Sequence, residues 1–248
     1  MRIARTTFGS RGVSMPLITI SSPTGRASAI IIHGFGGNKE EQLGLSFRIA
    51  ELGFDTCTMD LRGHGENVNP LDPAMLDDVN ALIDRRRRGG EVVAVGHSLG
   101  GRLALLSSAD YRIGISPALG KTFSGRTRAT VNRQRNHRVI EATENASFDI
   151  IDALPDVETL TDRDLILYGS RDVPEIVRSC ERLQNDGRNV VRVDDAFHGD
   201  IFVLDTTFRE IGKLLVGAGR AGGQRDATRA AAAKRRDLQD PAAAAGLT

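Results

Sequence analysis

The chain has 248 residues, 40% of them apolar, and its 33 basic and 32 acidic residues leave a net charge of +1. That length and apolar content support one sizeable core and exclude a disordered chain, while the balanced charge gives no global reason to expect nucleic acid or an anionic membrane as partner. Only four of the basic residues are lysines (Lys39, Lys121, Lys213 and Lys234), so arginine clusters carry less weight here than in an average chain.

Residues 1–20 mix Arg, Thr, Ser and Gly without a continuous apolar run, and no later stretch reaches the roughly 18 apolar residues that a membrane span needs. A soluble, cytoplasmic protein without a membrane span is expected. The first core strand is read at Ala27–Ile32, and it ends in the glycine loop His33-Gly34-Phe35-Gly36-Gly37. Asn38 opens a helical pattern to Leu52, Gly53 stops it, and Phe54–Met59 reads as the next strand, followed by the loop Asp60-Leu61-Arg62-Gly63-His64-Gly65. Pro73 opens a second helix that ends in Arg85–Arg88 and Gly89-Gly90, with cations where the helix dipole favours them. Glu91–Gly96 is a third strand, Leu99–Ala109 a helix and Tyr111–Ile115 a fourth strand that Ser116-Pro117 breaks.

The alternation lapses from 118 to 161, read as a small cap inserted between sheet elements. It resumes with a strand at Asp164–Gly169, a helix at Pro174–Gly187, a strand at Asn189–Val193 and a closing helix at Asp200–Val216. Strands alternating with helices predict an α/β fold with a mostly parallel sheet covered on both faces. One domain is expected over 1–217, with the Ala/Gly/Arg-rich tail at 218–248 disordered. Cys57 falls in a strand and Cys180 in a helix, without the spacing of a disulfide framework or a zinc site, so both are expected to be reduced packing residues.

Gly96-His97-Ser98-Leu99-Gly100 matches the G-x-S-x-G pattern and lies where that pattern has meaning, after an apolar strand and before a helix. A serine on so sharp a turn points its hydroxyl out of the sheet, and the helix N-terminus beside it offers unpaired N–H groups to a developing oxyanion. The competing reading makes Ser98 a helix N-cap. A serine nucleophile needs a base. Of five histidines, His33 and His97 sit where they shape backbone turns, His64 follows the second strand and His137 lies in the cap; His198 alone follows the last strand. The imidazole in turn needs an acceptor for its other N–H, and Asp172 supplies one at the end of the preceding strand, although it could instead cap the helix at Pro174. Asp194, Asp195 and Asp200 lie too near His198 in sequence to reach around to it. The backbone N–H groups of Phe35 and Leu99 are the candidate oxyanion donors.

With these motifs in hand, the chain resembles the α/β-hydrolase superfamily over Ala27–Val216. The HGFGG, DLRGHG, GHSLG, GSRD and FHGD segments look most like its serine esterase, monoacylglycerol-lipase-like and cinnamoyl-esterase-like branches. The resemblance implies an eight-stranded, mostly parallel sheet with helices on both faces and a Ser98, Asp172, His198 triad, and it gives Asp60–Gly65 a structural role. Serine at the elbow argues against the dehalogenase-like and epoxide hydrolase-like branches, which use aspartate there, and against the dienelactone hydrolase-like branch, which uses cysteine.

The reading is a serine hydrolase acting on a small or medium carboxylic ester through an acyl-enzyme, with a small-molecule acyl substrate and no metal or organic cofactor. Thioester hydrolysis or acyl transfer to an acceptor other than water is the second enzymatic reading, and a non-catalytic binding protein on the same fold is the reading of another class. Substrate choice should lie in the cap. Gly120–Arg138 holds Lys121, Arg126, Arg128, Arg133, Arg135 and Arg138 and no acid, whereas Glu141–Asp164 holds eight acids and only Arg163. Arg126 and Arg128 could receive an anionic substrate, or the two halves could pair with each other; the general richness in arginine favours pairing.

Overall fold

A computed structural model of the chain describes residues 1–10, 12–25 and 27–216. Two units divide the chain, residues 1–212 and 213–248; of the second, 213–216 are helical, and the tail expected to be disordered lies outside the described residues.

The first unit is built on the eight-stranded, mostly parallel sheet that the resemblance implies. In chain order its strands are β1 (Arg2–Ser10), β2 (Val13–Ser21), β3 (Ala27–Ile32), β4 (Phe54–Met59), β5 (Val92–His97), β6 (Tyr111–Ile115), β7 (Asp164–Arg171) and β8 (Val190–Phe197). They lie in the order β1-β2-β4-β3-β5-β6-β7-β8. From β4 onward every neighbouring pair is parallel, while β2 runs antiparallel to both β1 and β4. The helices are α1 (Leu43–Glu51), α2 (Met75–Arg87), α3 (Leu99–Leu106), α4 (Gly125–Arg135), α5 (Ala146–Ala153) and α6 (Pro174–Asn185), with further helical backbone from residue 205.

The central strands form where the sequence is continuously apolar, because both faces of a parallel sheet are covered: every residue of β5 is buried, as are the last four of β3. The β1–β2 hairpin has no counterpart in the pattern of residues 1–20, read above without a strand. β1 is an edge strand with exposed residues along most of its length, and Pro16 sits inside β2, so neither an apolar run nor a clean alternation marks them. Other boundaries move by a few residues. The helix expected from Asn38 starts with a 3-10 turn at Glu40–Gln42, where Asn38 Oδ1 accepts from Glu41 N at 3.0 Å. β8 runs four residues past the expected end at Val193, through a register shift against β7 and a positive φ of 58° at Asp195.

The insertion between β6 and β7 carries α4 and α5, and the core holds them in different ways. α5 buries Phe148, Ile150 and Ile151, whereas no residue of α4 is buried. Both ends of the insertion are stapled by Arg102 of α3, fully buried, which donates to the carbonyls of Ala118 (2.9 Å), Leu119 (2.7 Å) and Pro155 (2.5 Å) and to Asp156 Oδ1 (3.2 Å). α4 is suspended from its ends. At its start Glu175 of α6 accepts from Ser124 N (3.0 Å) and Thr127 Oγ1 (3.1 Å). Past its other end Arg138 pairs with Glu41 at 2.6 Å and Ile140 N donates to Gly63 O at 2.8 Å.

The expected pairing of basic and acidic cap halves is largely absent. Among the described residues Lys121–Asp156 (3.2 Å) is the one ion pair between them, and the acids turn to core arginines instead: Asp156 to Arg102, Asp164 to Arg112 at 2.6 Å. Cys57 and Cys180 are both free and buried, and burial pushes the Cys57 thiol up to about 11. No helix among the described residues is long and apolar enough to cross a membrane.

Candidate active site

Parallel strands deliver the candidate residues to one edge of the sheet, because each is followed by a loop at its C-terminal end. Ser98 follows β5, His33–Gly37 follows β3, Ser116 follows β6, Asp172 follows β7 and His198 follows β8. The turn at Ser98 is tight, with φ 56° and ψ −115°, a conformation that costs an L-residue about 1–3 kcal/mol and persists only where the surroundings enforce it. They do so through glycine: a Cβ on Gly96 would lie 1.9 Å from Gly100 O, and one on Gly100 would lie 2.3 Å from Ile32 O. Strand, turn and helix are thereby packed backbone to backbone. Ser98 caps no N–H of α3 with its side chain.

The hydroxyl turns instead to His198, whose Nε2 lies 3.0 Å from Ser98 Oγ. On the far side of the ring Nδ1 lies 2.7 Å from Asp172 Oδ1. With Nδ1–H donating to the carboxylate, Nε2 is left as the acceptor facing the serine hydroxyl. Asp172 also accepts from Val173 N at 2.6 Å on Oδ1 and from the Ser116 hydroxyl on Oδ2. Burial alone would push this carboxyl up, but the hydrogen bond and charge of His198, with those from Ser116 and Val173, hold it below the ordinary carboxylate range. The rival acids point elsewhere: Asp194 to Arg192 (3.0 Å), Asp195 to Arg171 (3.2 Å), and Asp200 to Phe197 N (2.8 Å).

Leu99 buries its side chain and opens α3, so its N–H has no intrahelical acceptor. Phe35 lies on the loop after β3, its ring edge-on to His64 at 5.4 Å. His33 fixes that loop: one ring nitrogen, Nδ1, donates to Gly34 O at 2.7 Å and the other, Nε2, accepts from Leu61 N at 3.1 Å. A buried ion pair adds to the tie, Lys39 Nζ to Asp60 Oδ2 at 2.6 Å, with Lys39 N donating to Oδ1 at 2.8 Å. Asp60–Gly65 thus holds the loop after β3 from below and presents no group to Ser98. His97 Nε2 donates to His198 O at 2.7 Å and its ring sits between those of His198 and Phe202, each 4.8 Å away. Both histidines act on backbone, as their sequence positions suggest.

Burial holds His33 and His97 neutral, pushing each down to about 3 from an ordinary 6.5, with neighbouring positive charge adding to the effect. The sign for stability follows from this lowering. As pH falls below 6.5 the unfolded chain takes up protons that the folded chain refuses, so stability is lost progressively between about 6.5 and 3. From pH 7.5 to 5.0 the pair should cost about 4 kcal/mol, a large part of a typical 5–15 kcal/mol. Urea unfolding at the two pH values checks this, and a midpoint that does not move would contradict it.

A cavity of about 910 Å³ opens above Ser98 and His198. Phe123, Val131, Phe148, Ile151, Ile176 and Phe202 supply its apolar wall, while Arg126 and Arg135 reach it from α4. Of the two arginines singled out in the sequence, Arg126 is on this wall. Arg128 is not; its guanidinium stacks over the Phe148 ring at 4.4 Å. In the sequence Ser116 reads only as a strand end and Arg135 only as one of the basic cap residues; the sheet order alone reveals that β6 lies between the strands that lead to Ser98 and Asp172.

The family model described as the alpha/beta hydrolase family matches residues 29–237. A search of curated proteins by sequence returns no match. Many solved structures share the fold. E-2-(acetamidomethylene)succinate hydrolase aligns with TM-score 0.68 at 18% identity, over 86% of this chain and 99% of that one. An esterase from Pyrobaculum calidifontis aligns at 0.59 and 18%, over 89% and 86%, and the thioesterase domain from the curacin biosynthetic pathway at 0.56 and 14%, over 87% and 100%.

Proposed function

Because the chain belongs to the alpha/beta hydrolase family, we propose that it is a serine hydrolase that cleaves small or medium carboxylic esters through an acyl-enzyme on Ser98. The observation that carries this reading is the continuous chain from Ser98 Oγ through His198 to Asp172, at 3.0 and 2.7 Å, with the serine held at a positive φ. In the first step Ser98 Oγ attacks the ester carbonyl while His198 Nε2 takes its proton, and the carbonyl oxygen, now an oxyanion, is received by the N–H groups of Phe35 and Leu99. Collapse expels the alcohol, which takes the proton back from His198. Water then enters, gives a proton to His198 and attacks the acyl carbon; collapse returns that proton to Ser98 and releases the acid. Asp172 holds the tautomer and stabilises the imidazolium. No step draws on a metal or an organic cofactor.

The apolar cavity wall suits the acyl chain, and its volume lies within the range of small-molecule pockets. A fluorophosphonate probe tests the mechanism directly: one equivalent should label the native protein, with the adduct on the peptide containing Ser98. A folded protein that stays unlabelled would overturn the reading.

A further inference from the structure

α4 crosses the cavity, and the face it turns inward is polar. Arg126, Thr127, Thr130, Val131, Gln134 and Arg135 recur at steps of one, three and four residues, which places them on one side of a helix. Four of these six have polar but uncharged or apolar side chains; the other two are guanidinium groups. Glu41, the one carboxylate on the cavity wall among the described residues, is paired to Arg138 at 2.6 Å. Glu175 is turned to the start of α4, and no carboxylate among the described residues lies within ion-pair distance of Arg126 or Arg135. The wall above the nucleophile therefore carries uncompensated positive charge.

The two arginines differ in depth. Arg126 is exposed at the rim; Arg135, about 13 Å further along at 1.5 Å per residue, is half-buried. Its Cβ, Cδ and carbonyl oxygen would lie 2.9, 3.0 and 3.1 Å from a Cβ on Gly36, so Arg135 rests on the very loop that holds Phe35. Gly36 has φ 71° and is glycine for both reasons, conformation and contact. The positive charge of Arg135 also acts on His97, adding to the burial that lowers it. A cation in the last turn of a helix complements the dipole, which applies to Arg133 and Arg135 alike, but of the two it is Arg135 that lines the cavity.

We propose that Arg135 selects substrates that carry a free carboxylate, so that the esters turned over are half-esters of small dicarboxylic acids, with Arg126 drawing the anion toward the rim. This rests on the reading of Ser98 as nucleophile and narrows its substrate class. A planar guanidinium meets a carboxylate through two parallel, charge-assisted hydrogen bonds, whereas a neutral diester would leave Arg135 partly desolvated without a partner.

Binding can be measured without turnover. Ser98→Ala protein is titrated calorimetrically with monomethyl and dimethyl esters of the three- to six-carbon dicarboxylic acids. At least one monoester should bind ten-fold or more tighter than its diester. Arg135→Gln in the same background should reduce that ratio to near one, and Arg135→Lys should keep part of it. Three outcomes would each overturn the proposal: equal affinity for both esters, a preference that survives Arg135→Gln, or no binding by any monoester. In the second case, loss of the preference in Arg126→Gln together with its extension to coenzyme A thioesters assigns the charge to a rim site for phosphate. Fluorophosphonate labelling of the native protein is scored separately, so failure of the anion preference with intact labelling removes this inference and leaves the hydrolase reading standing.

Discussion

Ser98→Ala is expected to lower kcat on ester substrates by on the order of a million-fold and to abolish fluorophosphonate labelling, with little change in stability. The magnitude follows from what is removed. Without Oγ there is no nucleophile to take the carbonyl and no acyl-enzyme, and only binding and the N–H groups of Phe35 and Leu99 remain to act on attack by water. The small effect on stability follows from what is kept: alanine retains a Cβ at φ 56°, so backbone strain is neither relieved nor added, and one partly exposed hydrogen bond to His198 is lost, worth about 1 kcal/mol. Steady-state kinetics on a chromogenic ester, with thermal unfolding of the same preparation, checks both parts. Retention of more than about a hundredth of the activity would assign the chemistry to another group.

Asp172 gives the second large effect and separates orientation from charge. Asp172→Ala should cost about 10⁴-fold in kcat, because His198 Nδ1 loses its acceptor and the imidazole is free to present the wrong nitrogen to Ser98. Asp172→Asn should cost at least ten-fold less than this, for a reason specific to this site. Oδ1 accepts from both His198 Nδ1 and Val173 N, while Oδ2 faces the Ser116 hydroxyl. An amide fits that arrangement with its oxygen at Oδ1 and its NH₂ toward Ser116 Oγ, which can rotate to accept. The tautomer survives and only the negative charge is lost. Kinetics of the two variants side by side, with Ser116→Ala added to Asp172→Asn, measures the split; equal losses for Ala and Asn would mean that orientation by Ser116 and Val173 plays no part.

Much of this molecule is local enough to be read from its residues. Ser98, read as the nucleophile, directly follows an apolar strand that periodicity locates, whereas Asp172 and His198, read as acid and base, lie beyond the expected strand ends at Gly169 and Val193, because β7 and β8 run on to Arg171 and Phe197. The β1–β2 hairpin was not legible, because an edge strand needs no apolar run and Pro16 counts against a strand. The cap was legible as an interruption but not as a structure. Its charge segregation suggested two halves pairing with each other, yet buried Arg102 and half-buried Arg112 claim the acids Asp156 and Asp164, and Arg128 spends its charge on the Phe148 ring.

What the sequence determined by itself is the run of central strands with the helices between them and the chemical types at their ends: serine on a glycine turn, histidine and aspartate after later strands, and an insertion whose first half carries no acid. Short-range sterics and hydrophobic period decide these, and they act between residues a few positions apart. Only the tertiary structure decided which groups meet. The sheet order places Ser116 beside Asp172 across 56 residues, and the suspension of α4 between Glu175 and the Gly63 loop sets Arg135 on Gly36 across 99 residues. Such contacts depend on how strands pair and where a polar helix is tied, neither of which leaves a periodic trace in the chain. The candidate reacting groups are therefore legible in the sequence, and the wall of the cavity above them is written in the packing.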